Sequence, residues 1–212
     1  ADRVQINYSG NQLIIEVRGE IFAGWIVDKE HKAARGEANS LTMNNPARDG
    51  DFDLSPGGDS LVFVSDRNGS RNLYLIFSDE DSIPELARRR KLNIEMLTSS
   101  DEDDHSPKWS TDGKKIAFIR GKGSLFTYDL RKKEEHQLMS GWSMQQHSWS
   151  PDSRWIAFVR EDNNYNSDVF IISAQGGNAV NISRHPDEDE LPVWSDDGKK
   201  LGFRSRRRAN NW

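Results

Sequence analysis

The feature that most constrains the fold of this chain is an internal repeat. Three segments are nearly the same: WSTDGKKIAF (109–118), WSPDSRWIAF (149–158) and WSDDGKKLGF (194–203). We take the serine of each segment as an anchor, and anchors occur at Ser55, Ser110, Ser150 and Ser195, and more weakly at Ser9. The steps between anchors are 46, 55, 40 and 45 residues, and a phenylalanine lies eight residues after each of the last four. Such a period indicates stacked supersecondary units.

Each copy of the repeat contains four short apolar segments, which we label A to D. In the fourth copy, A ends at the anchor Ser150, B is WIAFV, C is DVFIIS and D is VNIS. These segments are rich in β-branched and aromatic residues and are separated by Gly, Asp, Asn and Ser, as strands and turns are. Four antiparallel strands repeated every 40–50 residues or so are typical of a β-propeller blade. The sequence therefore predicts an all-β fold, a β-propeller.

The domain prediction is a single partial propeller over residues 1–212. Its blades are expected at roughly 4–42, 48–98, 104–139, 144–183 and, incomplete, 189–212. Closed propellers typically have four to eight whole blades. We therefore expect the chain to be part of a larger protein and to form an open arc, without direct packing of the first blade on the fifth.

Two insertions lengthen C–D connections of the repeat. They are WIVDKEHKAARGEA (25–38) and SDEDSIPELARRRKLN (78–93). Within the second, IPELARRRK predicts a short helix. Long loops on a repeat scaffold often carry binding.

The repeated tryptophans and serines are interpreted as structural. Trp109, Trp149 and Trp194 each precede an anchor, so they are expected to be largely buried between blades at equivalent places. A carbohydrate or aromatic cage is the alternative for these rings. The segment Ser-x-Asp-Gly favours a hairpin turn, because Asp bonds to nearby backbone and Gly accepts positive φ. The anchor serines are therefore expected to form turns and not to act as nucleophiles, and no G-x-S-x-G elbow suggests otherwise.

Composition excludes several classes of function. The chain has 29 Lys and Arg against 34 Asp and Glu, a net charge of −5, whereas nucleic-acid binders normally show a basic excess. No apolar run approaches the roughly 20 residues of a membrane-spanning helix. The absence of cysteine excludes disulfides and thiolate chemistry. The first residues, ADRVQINYSG, lack the apolar segment of a signal peptide. A mature or trimmed chain would look the same. The compartment, periplasmic or cytoplasmic, stays open, and so does homo-oligomerisation.

Two kinds of candidate site are visible. The loops DEDDH (101–105) and HPDEDE (185–190) cluster carboxylates with a histidine, and hard cations such as Ca²⁺ prefer carboxylate oxygen ligands. The candidate residues are Asp103, Asp104, His105 and Asp189. The run RSRRRANN (204–211) offers Arg206, Arg207 and Arg208 for a peptide carboxylate. Solvated acidic and basic loops are the alternative in both cases. No cofactor is indicated, and no nucleophile, base and oxyanion hole converge in the sequence.

Several segments resemble a known family of repeats. WSPDSRWIAF, SDVFIISAQGGNAVNIS and the aspartate six residues before the anchor (Asp49, Asp104, Asp189) resemble the TolB/tricorn-type propeller repeat over nearly the whole chain. IIEVRGEIFAG (14–24) looks like the start of the second propeller in bacterial tricorn-like serine proteases, and HSWSPDSRWIAF with NSDVFI is similar to the same proteins. Met144 departs from the aspartate pattern.

The resemblance implies a role in a larger hydrolase. In tricorn-like proteases, propellers gate or guide peptides to a serine active site in a separate α/β domain beside PDZ-like domains. No catalytic residue of that family is carried over onto this chain. The implied function is a substrate-gating or scaffolding module, with peptides and further domains of the same polypeptide as partners. The alternative is a TolB-like propeller that binds proteins and has no link to proteolysis.

Overall fold

The computed structural model describes residues 3–25, 38–42, 46–79, 85–89, 91–161 and 165–206. Within them, the first two copies of the repeat supply β1 (Arg3–Ile6), β2 (Gln12–Val17), β3 (Glu20–Trp25), β4 (Ala38–Ser40), β5 (Asp49–Leu54), β6 (Leu61–Asn68), β7 (Ser70–Phe77) and β8 (Asn93–Met96). The later copies supply β9 (Asp104–Trp109), β10 (Lys115–Arg120), β11 (Ser124–Asp129), β12 (Glu134–Met139), β13 (Met144–Trp149), β14 (Trp155–Glu161), β15 (Ser167–Ser173), β16 (Val180–Asn181), β17 (Asp189–Trp194) and β18 (Leu201–Ser205).

The strands form antiparallel sheets in which sequence neighbours are spatial neighbours. Four sheets have four strands each, in the orders β1-β2-β3-β4, β5-β6-β7-β8, β12-β11-β10-β9 and β13-β14-β15-β16, and β17 pairs with β18. Each sheet corresponds to one copy of the repeat: the four-stranded sheets contain segments A to D as successive strands, and β17 and β18 are segments A and B of the fifth copy. The all-β prediction is confirmed, and we call each sheet a blade.

The helix predicted at 83–91 is wrong in type and length. The described part of that segment contains one 3₁₀ turn, Leu86–Arg88, flanked by extended Glu85 and Arg89. Leu86 and Ala87 are buried, so packing of two side chains fixes the turn. The first insertion lies mostly outside the described residues. No helix in the described ranges has the length and apolar character needed to cross a membrane.

The chain divides into two compact units, residues 1–109 and 110–212. In the first unit, side chains from the first two blades form one core: Ile14, Ile21, Ala23, Leu41, Phe52, Leu54, Leu61, Phe63, Tyr74, Ile76, Leu86 and Ala87. In the second unit, the core comprises Ala117, Ile119, Leu125, Leu138, Met144, Trp149, Ile156, Phe158, Phe170, Ile172 and Ala174. Each core draws on two blades because one four-stranded sheet cannot bury both of its faces alone.

A hydroxyl at the end of strand D caps the start of strand C in three blades. The Thr42 hydroxyl accepts the Ile21 N–H at 3.1 Å, the Thr98 hydroxyl accepts the Leu73 N–H at 2.8 Å, and the Ser183 hydroxyl accepts the Val169 N–H at 3.0 Å. Buried N–H groups need such acceptors. This explains why segment D ends in Thr or Ser in these copies.

Strand A carries a bulge with a residue in the left-handed region. Asp51, Ser106 and Leu191 have φ of 45°, 54° and 56°, and each lies four residues before an anchor. The N–H at this bulge donates to a side chain of the preceding blade: Asp51 to Glu16 at 3.1 Å, Ser106 to Asp51, and Leu191 to Gln146 at 2.9 Å. The bulge thus points a backbone donor at the neighbouring blade.

The repeated indoles join strand A of one blade to strand A of the preceding blade. Trp109 Nε1 donates to the carbonyl of Asp53 at 3.0 Å, and Trp194 Nε1 donates to the carbonyl of Ser148 at 3.3 Å. Both acceptors lie two residues before an anchor. Only Trp149 is largely buried, at 8% exposure. Trp109 and Trp194 are half-buried, so the expectation of three largely buried rings is wrong for two of them.

We expect Trp109→Phe to destabilise the chain by about 1–2 kcal/mol, because it removes the indole hydrogen bond and some packed area. Urea denaturation followed by circular dichroism measures this change. Trp142→Phe is the control, since Trp142 is 56% exposed and its replacement should cost no more than about 0.5 kcal/mol. Equal shifts for both variants would contradict the role assigned to the indole.

Candidate functional site

The anchor serines are fully engaged in their own turns. Ser110, Ser150 and Ser195 donate their hydroxyls to the aspartate two residues on, at 2.7, 2.6 and 2.7 Å. Each hydroxyl also accepts the N–H of the residue five positions on, at 2.9, 3.0 and 2.9 Å. The turn role predicted for these serines is confirmed. Each hydroxyl therefore both donates and accepts a hydrogen bond within its own turn.

The first copy uses a different residue for the same turn. Asn7 Oδ1 accepts the N–H groups of Asn11 and Gln12 at 3.0 and 2.9 Å, the second of them again five positions on. The Asn7 N–H donates to the Gln12 carbonyl, as the anchor N–H does in other blades. The weak anchor at Ser9 is therefore wrong, and the anchor of the first copy is Asn7, whose turn has the same length as the others. An amide oxygen replaces the hydroxyl because both accept from turn N–H groups.

These turns hold their aspartates in the ionised state. Hydrogen bonds from Ser150 and from Arg154 lower the pKa of Asp152 to about 2. Hydrogen bonds from Ser195 and the Lys199 N–H lower the pKa of Asp197. For Asp112, burial acts to raise the pKa, but bonds from Ser110 and Lys114 outweigh it and the pKa is lowered.

We expect NMR titration to find an Asp152 midpoint near 2, moving upward in Ser150→Ala because the hydroxyl donor is lost. A carboxylate whose pKa is lower in the folded chain than in the unfolded chain stabilises the fold at pH values above its unfolded pKa. This stabilisation is lost as the pH falls through the folded pKa. The wild type should therefore lose more stability than the variant between about pH 4 and pH 2. Asp197 is the internal reference and should titrate alike in both proteins. An unchanged Asp152 midpoint would refute the assignment.

A second repeated arrangement stacks an arginine on a pair of aromatic rings from strands B and C. In the second blade, Arg67 lies 5.2 Å from the Phe63 ring centre and 4.7 Å from that of Tyr74. Arg67 also forms an ion pair with Asp49 at 2.9 Å, and the Asp49 side chain is 1% exposed. Burial raises the pKa of Tyr74 although the Arg67 charge acts in the opposite direction. The aspartate at the start of strand A is therefore a structural partner of this stack.

We expect Asp49→Asn to lower the free energy of unfolding by about 2–3 kcal/mol, because it leaves Arg67 without a countercharge. This loss is smaller than that for a fully buried ion pair, because the Arg67 side chain is 16% exposed. Thermal and urea denaturation measure the loss. Lys199→Gln breaks an ion pair whose members are 80% and 56% exposed and should change stability by under about 0.5 kcal/mol. A similar loss in both variants would show that burial of Asp49 does not matter.

The residues predicted for a cation site lie in two different units. In the first, Asp103 accepts the Arg71 N–H at 3.0 Å, Asp104 is completely buried, and His105 Nδ1 lies 3.2 Å from Ser106 Oγ. In the second, Asp189 is completely buried at the start of β17. Across the described ranges, no three His, Asp or Glu side chains come together as a metal site requires. The cation site stays a prediction without a ligand cluster in its favour.

Of the three arginines predicted to bind a peptide carboxylate, only Arg206 lies within the described residues; Arg207 and Arg208 lie outside them. Arg206 forms an ion pair with Glu188 at 2.6 Å and lies 3.7 Å from Glu190. Its side chain is 65% exposed. Arg206 can therefore meet a ligand only in competition with its own carboxylate partners.

An open groove of about 970 Å³ lies in the second unit, at the end of the blades where A–B and C–D turns meet. Basic side chains line it: Lys114, Lys115, Arg131, Lys132 and Arg154. Its carboxylates belong to Asp112, Asp129 and Asp152, whose pKa values are all lowered. The surplus of cations favours an anionic ligand. Sequence reasoning missed this groove, although the basic residues after each Ser-x-Asp turn were a visible signal.

The fold and its repeated turns define the chain as a β-propeller of four-stranded blades. Residues 91–211, more than half of the chain, match the family described as TolB beta propeller domain. The chain belongs to this family.

Solved structures agree with the fold. A putative TolB from Agrobacterium tumefaciens superposes with a TM-score of 0.68 at 20% identity, covering 95% of this chain and 68% of that one. A puromycin-hydrolyzing peptidase of Mycobacterium tuberculosis superposes with a TM-score of 0.61 at 13% identity, covering 90% of this chain and 31% of that one.

Among curated proteins, an uncharacterized peptidase of Bacillus subtilis, YuxL, is 27% identical over 149 residues. The match covers 70% of this chain and 20% of the relative, so the chain spans about a fifth of that protein's length. The relatives thus include peptidases and TolB proteins.

Proposed function

We propose that the chain is a non-catalytic propeller module of a larger peptidase, which gates or guides peptides towards a catalytic domain elsewhere in the same polypeptide. One observation carries this proposal: the chain is similar to a fifth of a peptidase, YuxL, at 27% identity. In such a protein the remaining four-fifths can hold the reaction centre. The tricorn-like arrangement suggested by IIEVRGEIFAG is the specific form that we propose.

The geometry of the anchor serines supports a non-catalytic role. Ser150 donates to Asp152 and accepts from the Trp155 N–H, so its hydroxyl has no position for attack on a carbonyl. A serine nucleophile instead needs a base within hydrogen-bond reach and an adjacent oxyanion hole. The groove beside this turn, with its basic lining, is a candidate contact surface for anionic parts of a peptide.

A second candidate function is a TolB-like propeller that binds proteins and takes no part in proteolysis. The specific observation in its favour is the superposition on the Agrobacterium tumefaciens TolB, which covers 95% of this chain. The two candidates differ in what the rest of the polypeptide does.

The test compares the full-length polypeptide with a variant that lacks residues 1–212. We expect the full-length protein to cleave fluorogenic peptides. The deletion variant should still cleave tripeptide substrates, but the ratio of its cleavage rates for short peptides and for unfolded proteins should change at least tenfold. The isolated chain should cleave neither, and Ser150→Ala should leave the full-length rate unchanged. A full-length protein without peptidase activity would refute the proposal and favour the protein-binding alternative. So would an unchanged discrimination after deletion.

A further inference from the structure

The arginine stack of the fourth blade lacks the partner that the second blade has. In the second blade, Arg67 lies on two rings and is neutralised by Asp49 at the start of strand A. In the fourth blade, Phe158 and Phe170 are stacked with ring centres 5.5 Å apart, and Arg160 lies 4.4 Å from the Phe170 ring centre. The position that corresponds to Asp49 is occupied by Met144, which is 4% exposed.

The carboxylates nearest to Arg160 in sequence and register serve other groups. Asp168 is the cross-strand neighbour of Arg160, but it accepts hydrogen bonds from Asn181 at 2.7 Å and Ser183 at 2.8 Å. Glu161 accepts the Ser143 hydroxyl at 2.6 Å. Among the described residues, no carboxylate forms an ion pair with Arg160, which is half-buried as a residue.

A guanidinium in this state is prepared for an anionic ligand. The Arg160 guanidinium carbon lies over the Phe170 ring, and a guanidinium that packs on an aromatic ring can still donate hydrogen bonds from its edge. Arg67 shows, within the same chain, that the complement of such a stack is a carboxylate. A planar carboxylate can accept two parallel N–H bonds from the donor fork of arginine.

Two exposed aromatic rings lie at the same end of the fourth blade. Trp142 is 56% exposed and precedes β13 by two residues, and Tyr165 is 77% exposed in the connection between β14 and β15. Arg160 lies next to the end of β14, where the same connection begins. Aromatic residues and arginine are enriched at surfaces that bind other proteins.

We propose that Arg160 is a binding residue for the carboxylate of a peptide, taking the ligand's carboxylate in place of the aspartate that Met144 replaces. This inference rests on the proposed peptide-guiding function. The carboxylate comes either from a peptide C-terminus or from an acidic side chain.

The first measurement follows the Arg160 Nε–Hε signal by NMR while sodium acetate is added to the whole chain. We expect the Arg160 chemical shift to change and saturate as acetate is added. We expect no such change in Met144→Asp, because the new carboxylate already pairs with the Arg160 guanidinium. Arg67 is the internal control and should not shift, because Asp49 already pairs with it. No shift at Arg160 would overturn the inference, and this readout does not depend on any peptidase activity.

The second measurement determines peptide affinity by fluorescence anisotropy. Three versions of one peptide are compared: a free C-terminus without acidic residues, the same peptide amidated, and the amidated peptide with one internal Glu. We expect the neutral amidated version to bind at least tenfold more weakly than one of the others, which identifies the source of the carboxylate. Arg160→Gln should weaken that binding at least tenfold, whereas Arg71→Gln, which changes an exposed arginine of β7 in the first unit, should not.

The outcomes separate this inference from the proposed function. If peptides bind but Arg160→Gln binds them as well as wild type, the Arg160 site is refuted while the peptide-guiding role stands. If the full-length protein proves not to be a peptidase but the binding of acetate and of peptide still depends on Arg160, the Arg160 site stands. Met144 belongs to the core, so Met144→Asp counts only if its melting temperature is not lowered; Arg160→Gln decides the question regardless.

Discussion

The fold depends on the contact between the first strands of neighbouring blades. A single four-stranded sheet leaves an apolar face exposed, so each blade needs a neighbour at a fixed distance and register. Two backbone-directed bonds fix that register within each unit: the indole of Trp109 or Trp194 to a carbonyl, and the bulge N–H of Asp51 or Leu191 to a side chain of the preceding blade. Further hydrogen bonds support the same register, such as the Trp109 N–H to the Asp53 carboxylate at 2.9 Å and the Ser148 hydroxyl to the Pro192 carbonyl at 3.1 Å.

This construction separates the structural duties of the repeat from any binding duty. The hydroxyls of Ser110, Ser150 and Ser195 each donate and accept hydrogen bonds within their own turns. The chemistry that remains free lies where one copy departs from the others, as at Met144 beside Arg160, or where side chains cluster on a blade end. A repeat protein therefore reveals its sites through exceptions, because the residues that every copy shares are needed by every copy.

Much of the fold could be predicted from sequence, because strand order, turn chemistry and the anchor period are all local properties. The anchor at Asn7 was missed because an amide can replace a hydroxyl without resembling it in sequence. The helix over 83–91 was a propensity argument, and the burial of Leu86 and Ala87 overrides propensity there. The groove and the unpaired Arg160 could not be predicted, since both depend on which side chains of different strands meet. For function, sequence reached the propeller family and its peptidase relatives, and the gating role remains a proposal.

The hydroxyl caps on strand C have a consequence for solubility. Because Ser183 and Thr42 satisfy the N–H groups of Val169 and Ile21, the outer strand of a blade can end early, and β16 and β4 are only two and three residues long. Short outer strands offer few free backbone groups to a second molecule. The longer outer strand β12 instead places the exposed charges of Glu134 and Glu135 at its start. These three blades thus discourage edge-to-edge pairing between chains, either by a short outer strand or by exposed charge.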